Sequence, residues 1–438
     1  MSIVVGTVIG SGIFLVPKTM IQRVGSVHLV FAVWVVGGLL SLAGALSYAE
    51  LAAALPEAGG EYAFLREAYG PFWGFVYSWT QMWVAKSGSI ATLATGFFLY
   101  LSNFFAPLDT VFYAIPLPLG PHGGPLELRW GQLFAIVLIA LLGWLNYLGV
   151  KLGGNVQVSV TGIKVALIGV VIVAGLGLGH AHAASPAPLG PLTFAGFIAA
   201  LVAALWAYDG WNNVSMVSSE IRQPQKNLPL ALIGGTLGVI VIYLLANAAY
   251  FRILTPQEVA GADRVAADMM RRIWHNPGAN AVSIAAMISI FAALNGSILS
   301  GSRVPYAAAR EGYFFAFIGQ VNPKFHTPGG SILALSAWAS LLVLTGKYDD
   351  LFNLVIFASW ILYGMTAAAV IVLRIRRPGL ARPYRTLGYP IVPGMFVAGA
   401  FVLLVSTAIE RPRESLMGVG LILLGLPFYF YWKKERQK

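Results

Sequence analysis

Two short polar, flexible stretches interrupt otherwise apolar sequence: Gly10-Ser11-Gly12 near the start, and Asp209-Gly-Trp-Asn-Asn213 near the middle. Inside lipid every backbone N–H and C=O needs a partner, so non-helical backbone survives only where it is buried in protein or lines a cavity. A helix broken there offers N–H groups with positive dipole on one side and carbonyls on the other. The first suit a carboxylate and the second an ammonium, so a small molecule carrying both, such as the α-amino acid backbone, fits a pair of such breaks. Glycines allow the turn that would aim the N–H groups of Ser11, Gly12 and Ile13 at one point. The alternative is that Gly6, Gly10 and Gly12 form a small-residue packing stripe. Pro17 nearby and the second break favour binding.

In the second break, Asp209 is an ionisable group near mid-membrane, which is a functional hypothesis by default. It could equally cap the second half of its helix, since Asp-Gly is a good capping pair. Trp206, one turn earlier, reads as a gate over a ligand or as a core aromatic. Two lysines lie deep in apolar runs. Lys164 needs carbonyls or an acid for its ammonium; unwound carbonyls of the first break and the Asn295/Ser297 region are candidates, and a tethered cation there would replace a bound sodium ion. Lys86 is a weaker case, because Ser87-Gly-Ser89 could admit water. Glu50 could cap or pair at a membrane boundary.

These residues must be positioned by membrane-spanning helices. Of 438 residues, 58% are apolar and 10% charged, against about 45–50% and about 25% in soluble domains. A soluble enzyme is therefore excluded. Runs bounded by charge, Pro or Gly give twelve expected spans: 3–24, 28–54, 71–102, 130–149, 152–178, 193–219, 229–251, 280–309, 328–346, 351–374, 391–409 and 416–432. The breaks fall in spans 1 and 6, the first members of two five-span halves, which is the sequence pointer to a transporter site at a repeat interface. With both termini cytoplasmic, 16 Lys/Arg fall inside and 10 outside, with Lys86 and Lys164 in spans. The dense clusters 374–385 and 433–438 share a side, so the positive-inside rule favours termini in. The net charge of +11 then reads as topology, and no nucleic-acid partner is expected. There is no cysteine, which excludes disulfides and thiolate metal sites. No metal or cofactor is expected; His180 and His182 read as an exposed loop. Gly175-Leu-Gly-Leu-Gly179 has no strand before it and fails as a phosphate loop. Met1-Ser-Ile-Val-Val lacks the features of a signal peptide, and a short cytoplasmic lead is expected to be missing from this start.

At these residues the sequence resembles the L-type amino acid transporter family of the amino acid–polyamine–organocation superfamily, over essentially the whole chain. The resemblance rests on Val5-Gly-Thr-Val-Ile-Gly-Ser-Gly-Ile-Phe14, Gly44-Ala-Leu-Ser-Tyr-Ala-Glu-Leu51, Pro56-Glu-Ala-Gly-Gly-Glu-Tyr62 and Leu205-Trp-Ala-Tyr-Asp-Gly-Trp-Asn-Asn213. Asn295-Gly-Ser297, Ser302-Arg-Val-Pro-Tyr306 and Arg382-Pro-Tyr384 complete it. It implies an all-α polytopic protein of twelve helices with the LeuT-type fold. Repeat one would cover about 1–180, an inverted repeat two about 190–375, and peripheral helices 11–12 about 390–433. It further implies that the substrate carboxylate meets the amides of Ser11, Gly12 and Ile13. The ammonium would meet carbonyls at Ile9, Trp206, Ala207 and Asp209. Trp206 matches the gate position, and Lys164 matches a lysine standing in for sodium. Animal members pair with a single-span glycoprotein through a cysteine; with none here, no disulfide-linked ancillary subunit is expected, and a stand-alone bacterial-type transporter follows.

The leading expectation is a sodium-independent, alternating-access permease or exchanger of L-amino acids in the cytoplasmic membrane, with neutral amino acids as the expected substrates. Asp209 keeps a cationic amino acid or polyamine carrier open. An intramembrane enzyme is disfavoured by the lack of a paired-histidine zinc signature or a convincing Ser–His–Asp set. A channel would not need two breaks shaped for a zwitterion.

Overall fold

The computed structural model describes residues 1–116, 125–178, 190, 193–345, 348–410 and 412–436, without the side chains of 150–152, 348–354 and 414. Gly179, His180, His182, Lys347, Arg411 and Lys438, on which parts of the sequence reading fall, lie outside the described residues.

The first expected span is two helices, α1 (Ser2–Val8) and α2 (Gly12–Val24), bent by 45° at the break. The α1 ladder ends with Ile9 N–H on Val5 O, and the α2 ladder restarts when Ser11 O accepts from Phe14 and Leu15. Helix α3 (Val27–Ala54) is followed by α4 (Glu61–Tyr69). Next come α5 (Pro71–Thr80) and α6 (Lys86–Leu101), joined through a π-helical turn at Gln81–Ala85. Such a turn inserts a residue into an α-helix and tends to mark functional sites. The connection 103–129 carries a two-stranded antiparallel ribbon, β1 (Val111–Ile115) with β2 (Leu126–Arg129). It is a departure from a purely helical expectation, confined to a connection. Helices α7 (Trp130–Tyr147) and α8 (Val150–Val173) close the first half.

The second half opens with α9 (Phe194–Tyr208), whose first turn is capped by Thr193 Oγ1 accepting from Gly196 N–H at 3.0 Å. After the second break come α10 (Asn213–Met216) and α11 (Pro224–Ile253). The connection expected at 252–279 is itself largely helical. It holds α12 (Pro256–Gly261), with a Thr255/Glu258 capping box, and the first part of α13 (Val265–Gly301), which kinks at Trp274–His275 ahead of Pro277. The remainder is α14 (Arg303–Arg310), α15 (Gly329–Thr345), α16 (Tyr348–Arg376), α17 (Ile391–Glu410), α18 (Pro412–Leu423) and α19 (Leu426–Arg436).

Among the described residues nine helices are long and apolar enough to cross a membrane, and the bent pair α1–α2 makes a tenth. The shorter apolar helices α9 and α15 lie at the positions of two further expected spans. Burial sorts the helices. Of the most apolar stretch of Pro71–Leu101 83% is buried and of Val265–Arg310 78%, against 28% for Ile391–Glu410 and for Ser415–Arg436. The last helices therefore sit at the periphery. Exposed Leu39, Val137, Val173, Phe401 and Ile409 form an outer surface too apolar for water, and the protein is a multi-pass membrane protein.

Candidate functional site

The two breaks cross at the centre of the molecule. A Cβ on Gly12 would lie 2.5 Å from Ala207 Cα and 2.6 Å from its Cβ, so only glycine permits the approach. The packing reading of this glycine therefore holds alongside its place at a helix start. Thr7 Oγ1 lies 2.7 Å from Ile3 O and 2.9 Å from Gly210 O, linking α1 to the second break. Gly210 adopts φ +108, a region costly for other residues. Tyr243 of α11 places its hydroxyl 2.9 Å from Val8 O and 2.8 Å from Ala207 O. Its single proton serves one carbonyl at a time, so one tyrosine ties together the ends of both broken helices. Sequence reasoning missed it, because a tyrosine in an apolar run carries no signal of what its hydroxyl meets.

At the crossing is a cavity with about 310 Å³ of atom-free space, of which about 20 Å³ admits the centre of a water, room for about one water. Ser11, Gly12, Trp206, Asp209 and Ser297 line it, together with Thr7, Ser89, Leu93 and Asn213. The first N–H groups of α2 have no intrahelical acceptor, and α2 begins at this wall. The cavity is thus walled by a helix start, small hydroxyls, one carboxylate and one indole.

Other expected residues take different places. Ile13 is fully buried in the core, and Ile9, Ile13 and Ala207 do not line the cavity. Three of the four expected carbonyls are engaged: Ile9 O by Lys164 and by Ser289 Oγ at 2.9 Å, Ala207 O by Tyr243, and Trp206 O by Asp209 N–H at 3.1 Å. Lys164 is wholly buried, and its ammonium donates to Gly6 O at 2.6 Å and Ile9 O at 2.5 Å. These are carbonyls at the end of α1 and in the first break, one of the two settings expected for its ammonium. Asn295 instead bonds Asn146, Gly153 O and Gln157 at 2.9, 3.2 and 3.0 Å, between α7, α8 and α13. Ser289, nearly two turns earlier on α13, donates to Ile9 O in the first break. Asp209 is the C-cap of α9 rather than the N-cap of α10, and its carboxylate accepts from Tyr363 Oη at 2.9 Å.

The second break is also clamped from the first half by one acid and one base. Glu61, fully buried at the start of α4, accepts from Asn212 Nδ2 and from Ser215 Oγ at 3.2 Å. Lys86, also buried, donates to Asn213 Oδ1 at 2.6 Å, and its charge faces Asp209 and Glu61. Lys86 thus has a side-chain partner in the second break beside Ser87-Gly-Ser89. Glu61 was overlooked as a site residue. Its signal was available: an acid directly after Gly59-Gly60, both at positive φ, opening an apolar run. Glu50 pairs with Arg374 at 2.6 Å and Arg382 at 3.3 Å and accepts from Thr386 N–H at 2.7 Å, a structural cluster away from the cavity. No group of three or more His, Cys, Asp or Glu side chains suited to a metal exists among the described residues.

The sequence model of a family described as amino acid permease matches residues 1–426. The chain is 33% identical to the serine/threonine exchanger SteT of Bacillus subtilis (strain 168), covering 100% of this chain and 96% of that protein. It is 33% identical to the b(0,+)-type amino acid transporter 1 of Mus musculus, over 98% of this chain and 85% of the relative. The human cystine/glutamate transporter is 29% identical over 99% of this chain and 84% of its own length. These relatives are carriers, and nothing in the cavity is arranged as catalytic machinery. A break-lined cavity at the heart of a helical membrane protein, matched along its length by amino acid carriers, makes this chain a member of the amino acid permease family, within the amino acid–polyamine–organocation superfamily and akin to its L-type transporters.

Proposed function

We propose that this secondary amino acid transporter exchanges small neutral L-amino acids across the cytoplasmic membrane, independently of sodium, by alternating access around the crossed breaks. The observation that carries the reading is the cavity where the start of α2, Trp206, Asp209 and Ser297 converge. A substrate carboxylate would lie at the amides of Ser11, Gly12 and Ile13, and the ammonium near the end of α9 and Asp209. Since Ile9 O, Ala207 O and Trp206 O already have donors, the ammonium is assigned chiefly to the Asp209 carboxylate, which lines the cavity and keeps acceptor capacity beside Tyr363 Oη. Ser11, Ser89, Asn213 and Ser297 then surround a small side chain. Lys164 fills the position of a coupling cation between Gly6 O and Ile9 O, which supports sodium independence.

Pairwise packing supports the twelve-helix LeuT-type architecture with inverted repeats at about 1–180 and 190–375. Helix α2 packs on α9, α3 on α11, α6 on α13 and α7 on α15. Those are spans 1 with 6, 2 with 7, 3 with 8 and 4 with 9, the pairing expected when two inverted halves interlock about a pseudo-two-fold axis. The basic clusters at the ends of α16 and α19 support both termini lying on the cytoplasmic side. A stand-alone carrier without a disulfide-linked subunit is supported by the absence of cysteine.

Labelled L-serine uptake into proteoliposomes tests the substrate assignment. L-alanine and L-threonine are expected to compete, whereas L-arginine is not, because the Lys86 ammonium already faces Asp209. Strong competition by L-arginine with none by L-alanine would replace this reading by the cationic carrier.

A further inference from the structure

A second, larger recess, with about 1040 Å³ of atom-free space, lies where α4 turns into α5, beside the ends of α16 and α19. Four guanidiniums, those of Arg66, Arg376, Arg377 and Arg436, stand on its wall. Two are neutralised: Arg66 pairs with Glu57 at 2.8 Å, Glu67 at 3.0 Å and Glu311, and Arg377 pairs with Glu67. The other two have no carboxylate partner among the described residues. Arg376 donates to Ala68 O at 3.1 Å, and Arg436 lies over the Tyr313 ring at 4.9 Å. Each guanidinium carries five N–H donors in a planar fork suited to phosphate oxygens, so both retain open donors facing one recess.

The surroundings favour a lipid source for the phosphate. Ile375, next to Arg376, is 72% exposed, and Phe430 and Tyr431 on α19 are 62% and 58% exposed. Such side chains beside span ends face acyl chains, while basic pockets between helices at a membrane boundary suit anionic headgroups.

We propose that this recess binds a phosphate group, supplied by the headgroup of an anionic phospholipid, with Arg376 and Arg436 as its contacts. The site ties the α4–α5 corner to the ends of α16 and α19, and is separate from the central cavity. Native mass spectrometry of the full chain in neutral detergent, with equal short-chain phosphatidylglycerol and phosphatidylcholine, provides the test. One phosphatidylglycerol is expected to be retained in preference to phosphatidylcholine. At about one charge-equivalent of surface attraction per arginine, Arg376→Gln and Arg436→Gln should each lower retention roughly 5-fold, and together roughly 30-fold. Arg436→Lys, which keeps the charge, should retain most of it and serves if the double variant is not monodisperse. Displacement by millimolar inorganic phosphate would assign the site to free phosphate as well as lipid. Resistance to it would assign the site to the headgroup alone. Equal retention of the two lipids, or unchanged phosphatidylglycerol retention in a monodisperse double variant, would overturn the proposal.

Discussion

At the scale of single residues, buried charges explain most of the site. Lys164 was legible in the sequence because a lysine inside an apolar run has few ways to be satisfied. Its ammonium takes two carbonyls that the break releases, Gly6 O and Ile9 O. Hydrogen bonds to a charged donor contribute about 1.5–3 kcal/mol each, so Lys164→Ala is expected to lower initial uptake at least roughly tenfold in proteoliposomes of matched protein content. Uptake at the wild-type rate would contradict its role. Lys86→Met removes the buried cation that faces Asp209 and Glu61 and leaves Asn213 Oδ1 without its donor, a loss of about 1–3 kcal/mol for the unmet hydrogen bond. A thermal-unfolding scan in detergent should therefore show a clear drop for Lys86→Met and a smaller one for Lys86→Arg. Glu61 carried only a partial signal in the sequence, an acid after a glycine pair, because its partners Asn212 and Ser215 lie some 150 positions away. Only the folded chain brings an acid at a glycine turn against the second break.

At the scale of elements, the broken helices were readable from residue type, since Gly-Ser-Gly and Asp-Gly inside apolar runs cannot continue a lipid-facing helix. What the sequence could not disclose was that the breaks touch. Gly12→Ala should abolish uptake, because its Cβ would press on Ala207. Gly162→Ala and Gly169→Ala on α8, with nothing within 4 Å of the added carbon, should keep wild-type uptake and serve as controls. Equal effects of all three would sink the crossing as the critical contact. The far end of α2 is tied by Lys18 to Asp263 at 2.9 Å. The Lys18 hydrogen bond and charge hold the Asp263 carboxyl below its ordinary 3.8. A lowered carboxyl contributes above its unfolded value and loses that contribution only as pH falls through the folded value. With Asp263 so exposed, the pair contributes little. The ratio of Asp263→Asn to wild-type uptake is thus expected to stay constant from about pH 5 to about pH 8.

At the scale of the whole molecule, composition announced a lipid-embedded chain, and the spacing of apolar runs located most of its long helices to within a few residues, though not α4 or the start of α13. The helical part of the 252–279 connection escaped notice, because α12 and the start of α13 are short and mixed in polarity while Pro277 reads as a break. The β1–β2 ribbon escaped for a similar reason, since its pairing joins two short segments that are separated in sequence. Burial of α6 and α13 against exposure of α17 to α19 gives the molecule an inner bundle around the cavity and an outer flank toward lipid. Alternating access requires the inner halves to rock around a fixed site while the cavity opens to one side at a time. The most direct test is trans-stimulation in sodium-free proteoliposomes, with labelled L-serine outside and unlabelled amino acids loaded inside. Internal L-serine, L-threonine or L-alanine should raise the initial uptake rate several-fold over empty vesicles. Uptake that internal substrate fails to accelerate, or that appears only when sodium is added, would contradict exchange at a site whose cation is Lys164.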